Sequence, residues 1–234
     1  MSAEKTLKSR FWEVLRKHEQ QLKDDNKPLE ERKAFSKQMR LCSLFFARYE
    51  LAKAFKGIVI SPENAVTPNI LLGYSVGMRL FLAVSALELA QAVTEKPIES
   101  IKIIASDHPA LADFFKTFLN EEKTTRHTDE NGSRIKVTLA QKMQDVVKNK
   151  DRLDSFLKNG DLTELARAFR HMFAHGFFTT SGNDLLTQDT VEHFQELTEV
   201  LLEKSFALFD EYMQKTVEKN SPFTVEKNEN RVFL

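Results

Sequence analysis

An all-α helical bundle is the fold this sequence predicts, and three observations carry the prediction. Only seven glycines and six prolines interrupt 234 residues, so long elements dominate over turns. Apolar residues recur three and four positions apart through most of the chain, the period of a helix with one buried face. Nineteen phenylalanines then supply the bulk of an aromatic-rich core. A chain of this length can bury one sizeable core. Residues 1–219 read as a single helical domain, with N-terminal helices over 1–66 and a bundle over 67–219. Residues 220–234 have the composition of a flexible tail.

Each element follows from local signals. Leu7, Phe11, Trp12, Leu15 and Leu22 mark the apolar side of a first helix over residues 4–25. Asp24-Asp25-Asn26-Lys27-Pro28 breaks it, and Pro28 opens a second helix that runs to a stop at Gly57. Ile58 to Ile60 reads as a short strand and residues 61–67 as a loop. A third helix spans residues 68–94. Two shorter ones follow, Pro97 to Ser106 and Pro109 to Glu122, separated by Asp107-His108-Pro109. Asn131-Gly132 between segments of alternating polarity signals a small β-hairpin near residues 124–138. That exposed loop carries Lys123, Arg126, His127, Arg134 and Lys136. Thr138 and Gln141 form a capping-box pattern opening a helix to Asn159. Residues 177–187 are a loop, and a long helix runs from Gln188 to Lys219. Its core set is Val191, Phe194, Leu197, Leu201, Leu208 and Phe209, and its outer face is acidic: Asp189, Glu192, Glu196, Glu199 and Glu203.

Composition narrows the function. The formal net charge is zero, so any binding of RNA or DNA must rely on a local patch. Cys42 is the single cysteine, which excludes an intrachain disulfide and a zinc–cysteine cluster. Its apolar surroundings mark it as a small core residue. The N-terminus lacks the order of a secretory signal, so a cytoplasmic protein is expected. Between Ile70 and Val93 only Arg79 and Glu88 are charged, and that length approaches the ~20 apolar residues of a bilayer span. The two charges and the missing basic flank favour a central helix buried on most faces, with no membrane partner. Arg79 and Glu88 are too far apart to pair along one helix, so each either finds a partner on another element or chain or sits at the helix margin with its stem along apolar surface. No Gly-rich phosphate loop follows a strand, and no Gly-x-Ser-x-Gly elbow exists.

The strongest functional signal lies at residues 161–176. Asp161 is a candidate N-cap with Glu164 completing a capping box, Gly160 ends what precedes, and Gly176 fits the left-handed stop. Leu162, Leu165, Phe169, Met172 and Phe173 make one face core, while Arg167, Arg170, His171 and His175 crowd the rest. Four chemistries fit. His171 and His175, four apart, could chelate a divalent ion, but the neighbouring arginines repel a cation and no metal or other cofactor is expected. An imidazole beside a guanidinium could instead run acid–base chemistry on a phosphodiester, the RNA 2′-hydroxyl serving as nucleophile. The same groups could bind a phosphate or nucleotide without turnover. Lastly, cations at a helix end complement its carbonyl dipole with no ligand at all.

Arg170-His171-Met172-Phe173-Ala174-His175-Gly176 resembles the signature of the HEPN superfamily, the higher eukaryotes and prokaryotes nucleotide-binding domain. That signature is an Arg, often with a polar residue directly after it, and a His with four to six residues between. Arg170, His171 and His175 match in turn. The resemblance implies an all-helical bundle and metal-independent endoribonuclease activity, leaving a 2′,3′-cyclic phosphate and a 5′-hydroxyl, commonly in toxin–antitoxin, phage-defence or RNA-processing settings. It implies His175 as general acid/base, Arg170 as phosphate clamp and His171 as a positioning or second proton-transfer group; Arg167, outside the motif, is a supporting phosphate contact or ordinary surface. Single-stranded RNA is the expected partner, alongside a second copy of the chain and an antitoxin or other protein. Such families often set a polar or acidic residue of an earlier helix against the motif; Glu88 is the candidate here, ahead of Arg79 and Glu50. The non-catalytic alternative is a HEPN-like module that binds nucleotide, RNA or protein. The resemblance is sharp over seven residues, loose over the C-terminal half, and does not cover residues 1–66 or the hairpin. On an ideal helix Arg170 and His175 lie about 140° apart, so distortion, the reach of Arg170 or a second protomer must bring them together.

Overall fold

A computed structural model of the chain describes residues 6–59, 68–128, 133–147, 150–174 and 187–219. It is all-helical apart from one hairpin, as the sequence predicts. Helices α1 (Leu7–Asp24), α2 (Leu29–Ala54) and α3 (Pro68–Thr94) come first, followed by the single turn α4 (Ile98–Ile101) and a 3-10 turn at Ala105–Asp107. Then come α5 (Pro109–Asn120), strands β1 (Glu122–Thr128) and β2 (Arg134–Thr138), α6 (Leu139–Val147), α7 (Lys150–Asn159), α8 (Leu162–Ala174) and α9 (Gln188–Glu218). The predicted tail, the Asn131-Gly132 turn and the loop after Gly176 lie outside the described residues.

Caps set several helix starts. The Thr6 hydroxyl accepts from the Ser9 N–H at 3.3 Å and the Thr187 hydroxyl from Thr190 N–H at 3.2 Å. At α6 the capping box is reciprocal: Thr138 N–H donates to Gln141 Oε1 at 2.8 Å, and Gln141 N–H to Thr138 Oγ1 at 3.2 Å. β1 and β2 pair antiparallel, with Glu122 opposite Thr138 and a register shift between Thr124 and Thr128. The hairpin thus begins two residues before the predicted one.

Three boundaries differ from expectation. α2 stops at Ala54 rather than at Gly57, and Phe55–Val59 is irregular instead of part of a strand. Ser75 of α3 accepts the Ile58 N–H at 2.9 Å, giving that amide a partner without a ladder. The helix expected over 97–106 shrinks to one turn, because residues 103–105 instead pair with the segment before α8. The helix expected over 138–159 is two helices, α6 and α7.

α3 is the central element and contacts α2, α8 and α9. By length and composition Ile70–Thr94 is the one described helix able to cross a membrane, yet half of its most apolar window is buried against protein. Leu80, Ala83, Val84, Ala86, Leu87 and Ala90 are fully covered, as expected of a core helix. Two aromatic clusters fill the space around it. One joins Phe11, Phe45, Phe46, Phe209 and Tyr212, with Phe45 stacked on Phe209 at 4.0 Å between centroids. The other joins Phe115, Phe118, Phe169, Phe173 and Phe194, with Phe169 and Phe194 edge to face at 4.8 Å. Cys42 is fully buried in the core, and burial pushes its thiol up to about 12. It is a packing residue, not a nucleophile.

Candidate functional site

The site is built on α8, and three devices fix that helix at its N-terminal end. Gly160 adopts φ +68°, which an L side chain resists, and a Cβ there would stand 2.6 Å from the Ala105 Cβ. The close approach permits a bridge in which Ala105 N–H donates to Gly160 O and Leu162 N–H to Ile103 O, each at 2.9 Å. Thr163 Oγ1 accepts from Ile103 N–H at 3.0 Å and donates to Ile101 O at 3.3 Å. Asp161 is the N-cap as predicted, its Oδ1 accepting from Thr163 and Glu164 N–H at 3.0 and 3.1 Å. The reciprocal half of the predicted box is replaced: the Glu164 carboxylate turns to arginines.

α3 and α8 run side by side and antiparallel. Gly77 faces Phe173 at one level, and Glu88 faces Arg170 and Arg167 at the other. Gly77 makes the approach possible, since a Cβ there would fall 2.5 Å from the Phe173 ring. Gly77→Ala is therefore expected to cost about 1–3 kcal/mol through overpacking. Urea unfolding of the variant measures this, and Gly77→Ala combined with Phe173→Leu recovers part of the loss.

Along this seam runs an alternating ladder of charge. Arg152 Nε of α7 lies 3.2 Å from Glu164 Oε2. Arg167 Nη1 bonds Glu164 Oε1, and Arg167 Nε reaches Glu88 Oε1 at 3.4 Å. Arg170 Nη1 donates to Glu88 Oε2 at 2.6 Å, a short charge-assisted bond. Among the described residues three guanidiniums thus share two carboxylates, leaving one positive charge in excess within the ladder. The side chain of Arg167 is 12 % exposed, that of Arg170 22 %, that of Glu88 36 %. Arg167 is the braced inner member; Arg170 and Glu88 reach the surface. Buried or half-buried ions persist only when paired, and the ladder supplies the pairing.

Of the predicted site residues, the fold brings Arg170, Arg167 and Glu88 together. His171 is half-buried one position on, and Ala174 is exposed at the helix end. His175 and Gly176 lie outside the described residues. Arg79 and Glu50, the other candidates to face the motif, are elsewhere. Arg79 donates to Ala52 O at 3.1 Å and pairs with Glu199 of α9, while Glu50 pairs with Lys8 at 3.3 Å. Arg79 and Glu88 each find their partner on another helix rather than lying unpaired at the helix margin. Arg152 and the pairing role of Glu164 were missed. No local pattern marks Arg152, and Glu164 carried a capping signal that hid its electrostatic role.

The cluster presents guanidinium N–H groups, oriented by carboxylates, at a partly exposed surface, the donor chemistry that an anion would use. Among the described residues no group of three or more His, Cys, Asp or Glu is arranged to hold a metal. No family model, curated protein or solved structure matches this chain.

Proposed function

We propose that the α8 end is the phosphate-handling half of a HEPN-like, metal-independent endoribonuclease site. The observation that carries this is the pairing of Glu88 with both Arg170 and Arg167, which gives the guanidinium next to the His171-x3-His175 sequence a fixed direction. In the proposed step the 2′-oxygen attacks phosphorus and the 5′-oxygen departs. His175 handles the transferred proton, with His171 positioning or relaying it. Arg170 binds the phosphate's non-bridging oxygens and stabilises their charge. Arg167, more deeply held, aligns Glu88 and through it Arg170, a narrower role than direct phosphate contact. A toxin–antitoxin or phage-defence setting in the cytoplasm suits an RNase that must be restrained by a protein partner.

A second copy completes the proposed site. On the α3 face beside the α8 seam, Tyr74, Met78 and Phe81 are 47, 44 and 40 % exposed at positions i, i+4 and i+7, one stripe of the helix. Exposed large apolar side chains in a row mark an association surface. Gly77 and Glu88 of the same helix meet Phe173 and Arg170 of α8, so a second copy seated on α3 would bring the two motifs near each other. Phe81→Glu is expected to shift a dimer to monomer in sedimentation equilibrium and to lower RNA cleavage in parallel. A wild-type monomer at micromolar concentration contradicts the dimer.

The activity itself is tested with mixed single-stranded RNAs in excess chelator, beside Arg170→Ala and His175→Ala. Cleavage by the wild type that is lost in both variants supports the reading; identical traces from all three refute it. Binding that survives without cleavage points to the second reading, a non-catalytic HEPN-like binding module. One observation favours that module: Arg170 already has a carboxylate partner, which a substrate phosphate would have to share.

A further inference from the structure

The N-terminal helices play no part in the α8 cluster, yet α2 carries a charge pattern of its own. At about 100° per residue, Lys33, Lys37, Arg40 and Arg48 fall on one side of the helix within a window of about 80°, and all four are exposed. Their rises along the axis, about 6, 4.5 and 12 Å at 1.5 Å per residue, spread four cations over about 22 Å. Glu30 is the one α2 carboxylate within this window, at the start of the helix and salt-bridged to Lys33 at 3.1 Å, while Glu50 lies round the helix against Lys8. On the opposite side of the molecule's charge balance, the outer stripe of α9 is acidic with Asp189, Glu192, Glu196, Glu199 and Glu203 all exposed. Zero net charge therefore conceals a segregated surface, and the local patch that nucleic-acid binding would require exists on α2.

We propose that the outer side of α2 binds the phosphodiester backbone of single-stranded RNA, as a track separate from the α8 cluster. A row of cations at steps of a few ångströms matches a linear polyanion better than a compact anion. Arg40 and Arg48 offer planar guanidiniums and Lys33 and Lys37 ammonium groups on long stems, a mixture that follows a backbone without reading bases. An anionic lipid surface is the weaker fit. An interfacial helix buries a broad apolar face in the bilayer, whereas Phe35, Cys42, Phe45 and Phe46 of α2 are already committed to the protein core. Leu44 and Leu51, partly exposed on the outer side, are ordinary surface leucines. The track does not depend on the α8 cluster being catalytic.

Fluorescence anisotropy with a labelled 20-nucleotide oligouridylate tests this, on full-length Arg170→Ala so that cleavage does not intrude. Adding Lys37→Glu and Arg40→Glu is expected to weaken binding at least tenfold at low salt. It should also flatten the log–log salt dependence by about 1.4, two phosphate contacts at about 0.7 each. The control reverses Lys17 and Lys102 to Glu, the same charge change off this face, and should move affinity less than twofold. Unchanged affinity in the Lys37/Arg40 variant overturns the proposal, as does an equal loss in the control. Phosphatidylserine-vesicle binding that is lost in the variant while RNA binding survives also overturns it and assigns the face to lipid. Thermal melts of all variants confirm that exposed positions alone were changed.

Discussion

Phe169→Ala is expected to lower the unfolding free energy by about 3–5 kcal/mol, the range for truncating a fully buried phenylalanine. Phe169 is 0 % exposed and its ring touches Phe115 at 5.2 Å, Phe118 at 6.3 Å and Phe194 at 4.8 Å. Removing it deletes the common neighbour of α5, α8 and α9 and leaves a cavity those helices cannot close without moving. At about 2–4 °C per kcal/mol for a chain of this size, the midpoint falls by about 6–20 °C. Differential scanning calorimetry measures it, and a shift under 3 °C would show that the cluster repacks. Because Arg170 follows Phe169 directly on α8, the same variant should loosen the Arg170–Glu88 pair, linking core packing to the site.

Arg170→Ala is expected to reduce RNA cleavage by about 10²–10³-fold, the usual cost of removing one charge-stabilising donor, with little change in stability. It takes away the outermost rung of the ladder and leaves Glu88 facing Arg167 alone. Arg170→Lys should recover only a small part, since an ammonium lacks the fork that grips Glu88 and a phosphate together. Glu88→Gln should fall between them: it keeps one acceptor oxygen for a guanidinium but loses the charge that orients Arg170 and Arg167. Steady-state kinetics on one RNA substrate separates the cases. Equal activity in Arg170→Ala and wild type would leave Arg170 with a purely structural pairing.

Much of the fold was legible because its signals are local. Pro68 and Thr94 bound α3 where composition said they would, Asp161 caps α8, and Thr138 and Gln141 cap each other. What escaped was decided by tertiary contact. Residues 102–106 carry a helical pattern, yet Gly160 and Leu162 draw Ile103 and Ala105 into a bridge. Glu164 has the sequence spacing of a capping box, but two guanidiniums outbid a backbone N–H for its carboxylate. The site was half legible. Arg170 and Arg167 followed from the crowding of cations on one short helix and from the resemblance, and Glu88 from the acidic residue that the resemblance sets against the motif. Arg152 could not be found that way, because on the half-polar helix α7 one more arginine is unremarkable. Arg79 looked equivalent to Glu88 on spacing alone. Only the placement of α9, with Glu199 beside it, sends Arg79 to another face.

The proposed reaction uses the RNA's own 2′-hydroxyl as nucleophile, activated at the Arg170–His175 motif without a metal. Its most direct measurement compares an all-ribose RNA with the same sequence fully 2′-O-methylated, in excess chelator, with product ends analysed by mass spectrometry. The expected result is cleavage of the ribose strand alone, giving 2′,3′-cyclic phosphate and 5′-hydroxyl ends and none with His175→Ala. Cleavage of the methylated strand, 5′-phosphate products, or an intact ribose strand would contradict it.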